Sequence, residues 1–215
     1  MTTLISEAQF RAMMPLAGAR LDPHWPYINP ALEKAAIDTP ARITAFLAQL
    51  AHESAEYRHM EEIADGSAYE GRRDLGNVNP GDGRRFKGHG PIQITGRTNH
   101  WACGLALGID LVANPLLLTT PQYGTASACW FWNSRQLSLL ADRGWFVAIT
   151  RAINGGTNGL HDRVRYWHNN CRILGLMPDR LDDEVEEIKA FQRSHGLTAD
   201  GAVGRKTLRK LELAA

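Results

Sequence analysis

The chain has 215 residues, is 44% hydrophobic and 22% charged, and sets 24 Lys and Arg against 23 Asp and Glu for a formal net charge of +1. That length can bury a sizeable core with room for one domain and a small appendage. The near-zero charge argues against a generic binder of nucleic acid or of membrane surfaces, which needs surplus Lys and Arg. No apolar run reaches the roughly 18–20 residues of a membrane span, so no membrane insertion is expected. The opening MTTLISEAQF is polar and acidic where a signal peptide is basic and then apolar, which predicts a chain that starts its life in the cytoplasm.

In chain order, Ser6 with Gln9 reads as a capping box ahead of Phe10, Met13 and Met14. Asn29-Pro30, Thr39-Pro40 and Thr120-Pro121 each set a capping residue before a Pro at the first helical position. After Pro40, the residues Ile43, Phe46, Leu47 and Leu50 fall at helical spacing, and this helix is expected to run to near Ile63. Residues 64–90 then form an irregular stretch with seven glycines. A loop of that length is either functional or disordered, and Tyr69 and Phe86 as anchors favour an ordered loop lining a site. The best strand candidate is the short Ile92-Gln93-Ile94-Thr95. Residues 121–135 are apolar nearly all round, as in a buried central helix. A helix over 142–153 stops at Asn154-Gly155-Gly156, and another runs from His161-Asp162 to just before Gly175. The fold should be mostly α. A boundary near Pro178-Asp179-Arg180 divides it into residues 1–178 and a module, 179–215, of two short helices around the turn Thr198-Ala199-Asp200-Gly201. About 35 residues bury little core alone, so this module should lean on the main domain.

Cys103, Cys129 and Cys171 lie far apart and form neither a disulfide framework nor a C-x-x-C zinc motif. His52-Glu53 is followed by Ser54, Ala55 and Glu56, so it is not the H-E-x-x-H of a zinc protease. No metal and no cofactor is expected.

Glu53 stands out. It follows Leu50 by three residues and Phe46 by seven, which puts a carboxyl on or beside an apolar helical stripe. Withdrawal from water favours the protonated form of a carboxyl, and a carboxyl that keeps its proton near neutrality can serve as a general acid. A buried Glu paired with an Arg is the competing reading. Glu56, Glu61, Glu62, Asp65 and Glu70 follow, and Glu62 and Glu70 fall where helix gives way to loop. Two carboxylates flanking a cleft, one apolar and one wet, are the apparatus of glycoside hydrolysis, although Glu61-Glu62 could also be a plain charged helix end. The third cluster is GHGPIQITGRTN, residues 88–99, in which Gln93, Thr95 and Asn99 supply amide and hydroxyl groups of the kind that suit sugar hydroxyls. An extended segment projects Gln93 and Thr95 to one side.

Together these segments resemble glycoside hydrolase family 19, the chitinase-like lysozyme group, and within it the phage and prophage endolysins. The resemblance lies in FLAQLAHES (46–54), EE at 61–62, YEGRRDLGN (69–77), GDGRRFKGHGPIQITGRTNH (81–100) and ITRAINGGTNGLHDRVRYW (149–167), in the family's order. It implies a mostly α, lysozyme-like domain with a deep cleft, and Glu53 as the general acid. It also implies inversion by a water that a second carboxylate activates, with Glu62 preferred for that base over Glu70. By the same implication Thr95 helps position the water, Gln93, Asn99 and Asn154 hold the sugar chain with Glu70 nearby, and Arg163 supports the carboxylates. His89 departs from the Arg that the family often has there, which would weaken a cleft contact and bring pH dependence. Near the C-terminus, Phe191, Gln192, Gly196, Leu197, Asp200, Gly201, Gly204, Thr207 and Leu211 are similar to the second half of the three-helix peptidoglycan-binding domain.

The expectation is therefore a monomeric, muramidase-type endolysin. It would cleave the β-1,4 bond between N-acetylmuramic acid and N-acetylglucosamine in peptidoglycan glycan strands, and reach the wall from the host cytoplasm through a lesion made by another protein. The rivals are a chitinase, a zinc amidase or peptidase built on His52, His59, His89 or His161, and a wall-binding protein without activity.

Overall fold

A computed structural model describes residues 3–178 and 181–214. Among these residues every regular element is helical: α1 (Glu7–Met13), α2 (Trp25–Lys34), α3 (Pro40–Glu53), α4 (Asp82–Arg85), α5 (Arg97–Leu107), α6 (Pro121–Ser134), α7 (Leu137–Ala141), α8 (Phe146–Asn154), α9 (Leu160–Ile173), α10 (Glu184–Ser194) and α11 (Arg205–Ala214). Short 3-10 turns join several of them. The expected strand at Ile92–Thr95 is absent, and only isolated bridges, Glu61 with His89 and His89 with Ile94, occur there. The boundary residues Asp179 and Arg180 lie outside the described residues.

The chain forms two compact units, one of residues 1–38 and 50–131, the other of 39–49 and 132–215. It passes from one to the other just before α3, within α3 and within α6.

The first unit opens with the capping box, in which Ser6 Oγ accepts from Gln9 N at 3.2 Å and Gln9 Oε1 from Ser6 N at 2.8 Å. Phe10, Met13, Met14, Ile28 and Leu32 are buried together with Phe86, Cys103 and Leu118. Asn29 departs from its expected role as a helix cap. Pro30 lies inside α2, and Asn29 Oδ1 instead accepts from the backbone N–H groups of Leu4 and Ile5, each at 3.1 Å. The residue thus pins the N-terminal segment to α2. Residues 64–90 are ordered, as the aromatic anchors imply. Two 3-10 turns, the four-residue α4 and an ion pair from Arg97 to the buried Asp82 hold them, the pair measuring 2.6 Å.

In the second unit Thr39 Oγ1 accepts from Arg42 N at 3.3 Å and starts α3 as expected. Phe46 packs edge-on against Trp132 at 5.5 Å, and Phe146 stacks on Trp167 at 4.6 Å. Gly155, at φ 77°, ends α8 in the left-handed conformation that glycine tolerates best. The C-terminal helices do lean on their neighbours. The buried Glu184 accepts from the N–H groups of Val147 and Ala148 at 2.7 and 2.6 Å, which serves the otherwise unpaired first turn of α8. Trp145 donates its indole N–H to Glu187 at 3.1 Å and packs edge-on against Phe191.

Candidate active site

Glu53 is the last residue of α3, half-buried, with Oε1 closed off from solvent. The helix ends ten residues earlier than the sequence pattern suggests, because Ala55, Glu56 and Tyr57 adopt φ of 46°, 56° and 61°. A left-handed residue other than glycine costs roughly 1–2 kcal/mol, so this turn exists only because its surroundings dictate it. Glu56 N reaches back to Ala51 O at 2.8 Å, Ser54 Oγ accepts from Tyr57 N at 2.8 Å, and Ser54 O accepts from His59 N at 2.9 Å. The buried Glu56 carboxylate accepts from Leu16 N at 2.6 Å. The Tyr57 ring is buried 4.0 Å from the His24 ring. Glu56 therefore does not share a helical face with Glu53.

Beyond the turn the chain pairs with residues 88–94. Glu62 and Gly88 bond reciprocally: Glu62 N donates to Gly88 O, and Gly88 N donates to Glu62 Oε2, both at 2.8 Å. Glu62 Oε1 accepts from the Tyr69 hydroxyl at 2.9 Å. Burial first, and the bond to Glu62 second, raise the pKa of Tyr69, so the phenol stays a proton donor. Both oxygens of the half-buried Glu62 are thereby held by neutral donors, a setting that suits a fixed carboxylate. Lys87 donates to Glu62 O at 2.9 Å and ion-pairs with Glu61 at 3.0 Å.

Gln93 meets Glu62 at Gly88. A Cβ on Gly88 would stand 2.4 Å from Gln93 Oε1 and 3.2 Å from Glu62 Oε2, so glycine is what lets the two side chains converge. Gln93, itself at φ 54°, donates its amide to Gly90 O at 2.9 Å and to His59 O at 3.4 Å, which ties it to the turn behind Glu53. Thr95 Oγ1 donates to Gln93 O at 3.1 Å, and Asn99 Nδ2 donates to Thr95 O at 2.7 Å. Gln93, Thr95 and Asn99 thus form one linked run beside Glu62, with Asn99 exposed on the first turn of α5.

Glu70 is differently employed. Its oxygens accept from Gly81 N at 2.7 Å and Gly83 N at 2.8 Å, which fastens the glycine-rich loop to the start of α4. His89 forms both bridges of this segment and is buried, with Nδ1 3.0 Å from His100 Nε2. Burial lowers its pKa foremost; Glu61 and Glu62 oppose that, and Lys87 adds to it.

Asn154 and Arg163 belong to the second unit. Asn154 is exposed at the end of α8. Arg163 is 1% exposed. Its Nη1 donates to Gln49 Oε1 at 2.6 Å, and Gln49 Nε2 donates to Thr150 Oγ1 at 2.9 Å, in a buried polar chain. The sequence reading missed Gln49, whose signal was a lone amide one helical turn before Glu53. It also missed Tyr69 as the Glu62 donor, since a spacing of seven residues through a loop carries no periodic signal. Among the described residues no group of three or more His, Cys, Asp or Glu could hold a metal. Cys103, Cys129 and Cys171 are buried and in no disulfide, and burial pushes the first two thiols up to about 12.

Comparison with known proteins identifies the family. The model of the chitinase class I family, glycoside hydrolase family 19, matches residues 33–141, just over half of the chain, and a putative peptidoglycan binding domain matches residues 182–211. An endochitinase of Arabidopsis thaliana is 41% identical over 143 residues, covering 63% of this chain and 49% of its own. Endochitinase B of Nicotiana tabacum is 34% identical over 191 residues, covering 67% and 58%. The chain thus spans about half the length of the curated relatives it matches. Among solved structures, chitinase C from Streptomyces griseus HUT6037 superposes with a TM-score of 0.70 at 25% identity, over 84% of this chain and 80% of that one. The class IV family 19 chitinase from Zea mays gives 0.67 at 24% identity, over 84% and 97%. With the helical fold, the ordered glycine-rich loop and the family model all in agreement, the chain belongs to glycoside hydrolase family 19.

Proposed function

We propose that the chain is a glycoside hydrolase that cleaves the β-1,4 bond between N-acetylmuramic acid and N-acetylglucosamine in peptidoglycan, with inversion, and so acts as a lytic enzyme. Glu53 protonates the leaving oxygen. Glu62 takes a proton from water on the opposite face of the sugar, and Thr95 helps to orient that water. Gln93 and Asn99 bind the glycan. Glu62 is favoured over Glu70 as the base because it is half-buried and stands against Gln93 across Gly88, whereas Glu70 is exposed and fastens its own loop through Gly81 N and Gly83 N.

The observation that carries the choice of substrate is the pairing, on one chain, of a family 19 domain with a match to a peptidoglycan-binding domain at residues 182–211. A second reading, hydrolysis of chitin, is favoured by the relatives, which are endochitinases. Mass spectrometry of the products released from purified sacculi and from chitin oligomers separates the two. New reducing ends on N-acetylmuramic acid, with inverted anomeric configuration, are expected from sacculi. Cleavage of chitin alone would transfer the assignment to the second reading. Glu53→Gln is expected to lower the rate on the true substrate by roughly 10²–10⁴-fold with an unchanged circular dichroism spectrum. Near-full activity in that variant would remove Glu53 from the acid role.

A further inference from the structure

The outer face of α5, in the first unit, carries a feature that the candidate active site does not use. Trp101 is 58% exposed and Leu105, one helical turn further on, 71%, although an indole is usually withdrawn from water. The two side chains border an open groove of about 530 Å³ whose other wall is the turn at residues 108–112. That volume lies in the range of small-ligand sites. The wall is braced. Asp110 Oδ1 accepts from Val112 N at 3.0 Å and Ala113 N at 2.8 Å, and Arg85 Nη2 donates to Val112 O and Ala113 O at 3.0 and 2.6 Å. These bonds fix the exposed Asp110 carboxylate at the groove, and they leave its Oδ2 without a hydrogen bond among the described residues. Trp101 follows Asn99 by two residues, so the two side chains stand about 160° apart around the helix. The groove therefore lies on the opposite rim of α5 from the Gln93–Thr95–Asn99 run.

We propose that this groove is a second glycan-binding site, separate from the candidate active site, that takes a neutral N-acetylglucosamine unit of a glycan strand. One face of a pyranose presents C–H groups of partial positive charge, which pack on the negative face of an indole. Its hydroxyls donate to Asp110 Oδ2 in charge-assisted bonds, and Leu105 offers an apolar seat for the acetyl methyl. Charge selects among the possible occupants. Asp110 is the one charged side chain among the described residues that line the groove, so it repels an anionic lipid surface and the carboxylates of muramyl units. Size argues against a second copy of this chain, because two exposed apolar side chains fall well short of the roughly 800 Å² per partner that a specific protein interface buries. The proposal rests on the glycoside hydrolase reading but not on the choice between peptidoglycan and chitin, since strands of both carry N-acetylglucosamine. Such a site keeps the enzyme on a polymer between cleavage events.

The first measurement is a titration of the nitrogen-15-labelled full chain with N-acetylglucosamine and with N,N′-diacetylchitobiose, followed by NMR at the Trp101 indole, whose signal is assigned by its loss in Trp101→Phe. A saturating shift is expected with both sugars, and none with glucose at equal concentration. Asp110→Asn keeps Oδ1 for the Val112 and Ala113 amides and should weaken the binding read at this indole by about threefold or more. Leu105→Glu, which places a charge on the platform at an exposed position, should weaken it at least as much, and it serves if the Asp110 variant folds poorly. The second measurement is hydrolysis by Trp101→Ala. Its rate on insoluble sacculi or chitin should fall by about tenfold, with soluble oligomers cleaved as before. No shift at the indole, an equal response to glucose, unaltered affinity in both variants, or an equal loss on soluble and insoluble substrates would overturn the proposal. So would self-association of the wild type that Trp101→Ala abolishes, seen by analytical ultracentrifugation. Binding at Trp101 without hydrolysis of either polymer would sink the glycosidase reading and leave the groove standing; hydrolysis without binding there would do the reverse.

Discussion

Two carboxylates of similar sequence prominence are put to different use. Glu62 just precedes the glycine-rich stretch and Glu70 lies within it, and both accept two hydrogen bonds. Glu70 binds two backbone amides of its own loop, an arrangement that stiffens the loop. Glu62 binds one amide and one phenol, and stands against Gln93 across a glycine. The phenol is the replaceable element. Tyr69→Phe keeps the ring and deletes the donor to Glu62 Oε1. A hydrogen bond to a charged group contributes roughly 1.5–3 kcal/mol, so the carboxylate should lose its fixed aim and kcat should fall by about tenfold or more, with KM nearly unchanged and the melting temperature lowered by a few degrees at most. Steady-state kinetics on soluble glycan fragments measure this, and an unchanged kcat would mean that the Tyr69 contact does not serve the base.

At the level of elements, much of the helical plan could be read directly. Ser6 with Gln9, Thr39 with Pro40, and the stop at Gly155 all carry local chemistry, and each element begins or ends where that chemistry says. What escaped the sequence is non-local. Asn29 looks like a cap because Pro30 follows it, yet its partners are Leu4 and Ile5, more than twenty residues away. The end of α3 escaped for a related reason. Ala-Glu-Tyr has no glycine to announce a left-handed turn; the turn is imposed by Leu16, Ser54, His24 and the buried Tyr57 ring. The candidate site followed the same rule. Gln93, Thr95 and Asn99 were legible as a cluster because they are close in sequence, while the Tyr69 hydrogen bond and the Gln49–Arg163 pair needed the fold. The imposed turn yields a prediction. Ala55 is exposed at φ 46°, so Ala55→Gly relieves left-handed strain with no side-chain contact of consequence to lose. It should raise stability by up to about 1 kcal/mol, the left-handed penalty less the added freedom of glycine in the unfolded chain. Urea unfolding reads this out, and a destabilised variant would show that the turn is not strained.

For the molecule as a whole, buried histidines set how it responds to acid. Burial lowers His24 and His100 from their usual 6.5 to about 4; at His100 the neighbouring His89 adds to the lowering and the Gly96 carbonyl opposes it. Below pH 6.5 the unfolded chain takes up protons that the folded chain refuses. The stability held by these neutral imidazoles is therefore complete above pH 6.5 and is lost as pH falls towards 4, at about 1.4 kcal/mol per pH unit for each ring. Glu184 works in the opposite sense. Burial raises it from 4.5 to about 6 against the bonds from Val147 and Ala148, so its stabilising share is full below pH 4.5 and is lost as pH rises through about 6. Two histidines outweigh one carboxylate, and the net slope between pH 6.5 and 4 should be a loss on acidification. His24 offers the cleanest test, because its buried Nδ1 has no hydrogen-bond partner and its ring lies 4.0 Å from Tyr57. His24→Phe preserves the aromatic contact and removes both the titration and the buried polar atom. Denaturant midpoints at pH 4.5, 5.5 and 7 should show an acid limb shallower by about 1.4 kcal/mol per pH unit in the variant. An acid limb of undiminished slope would place the sensitivity in His89 and His100, beside the Glu62 segment, and would tie the acid response of the fold to the same segment that carries the candidate base.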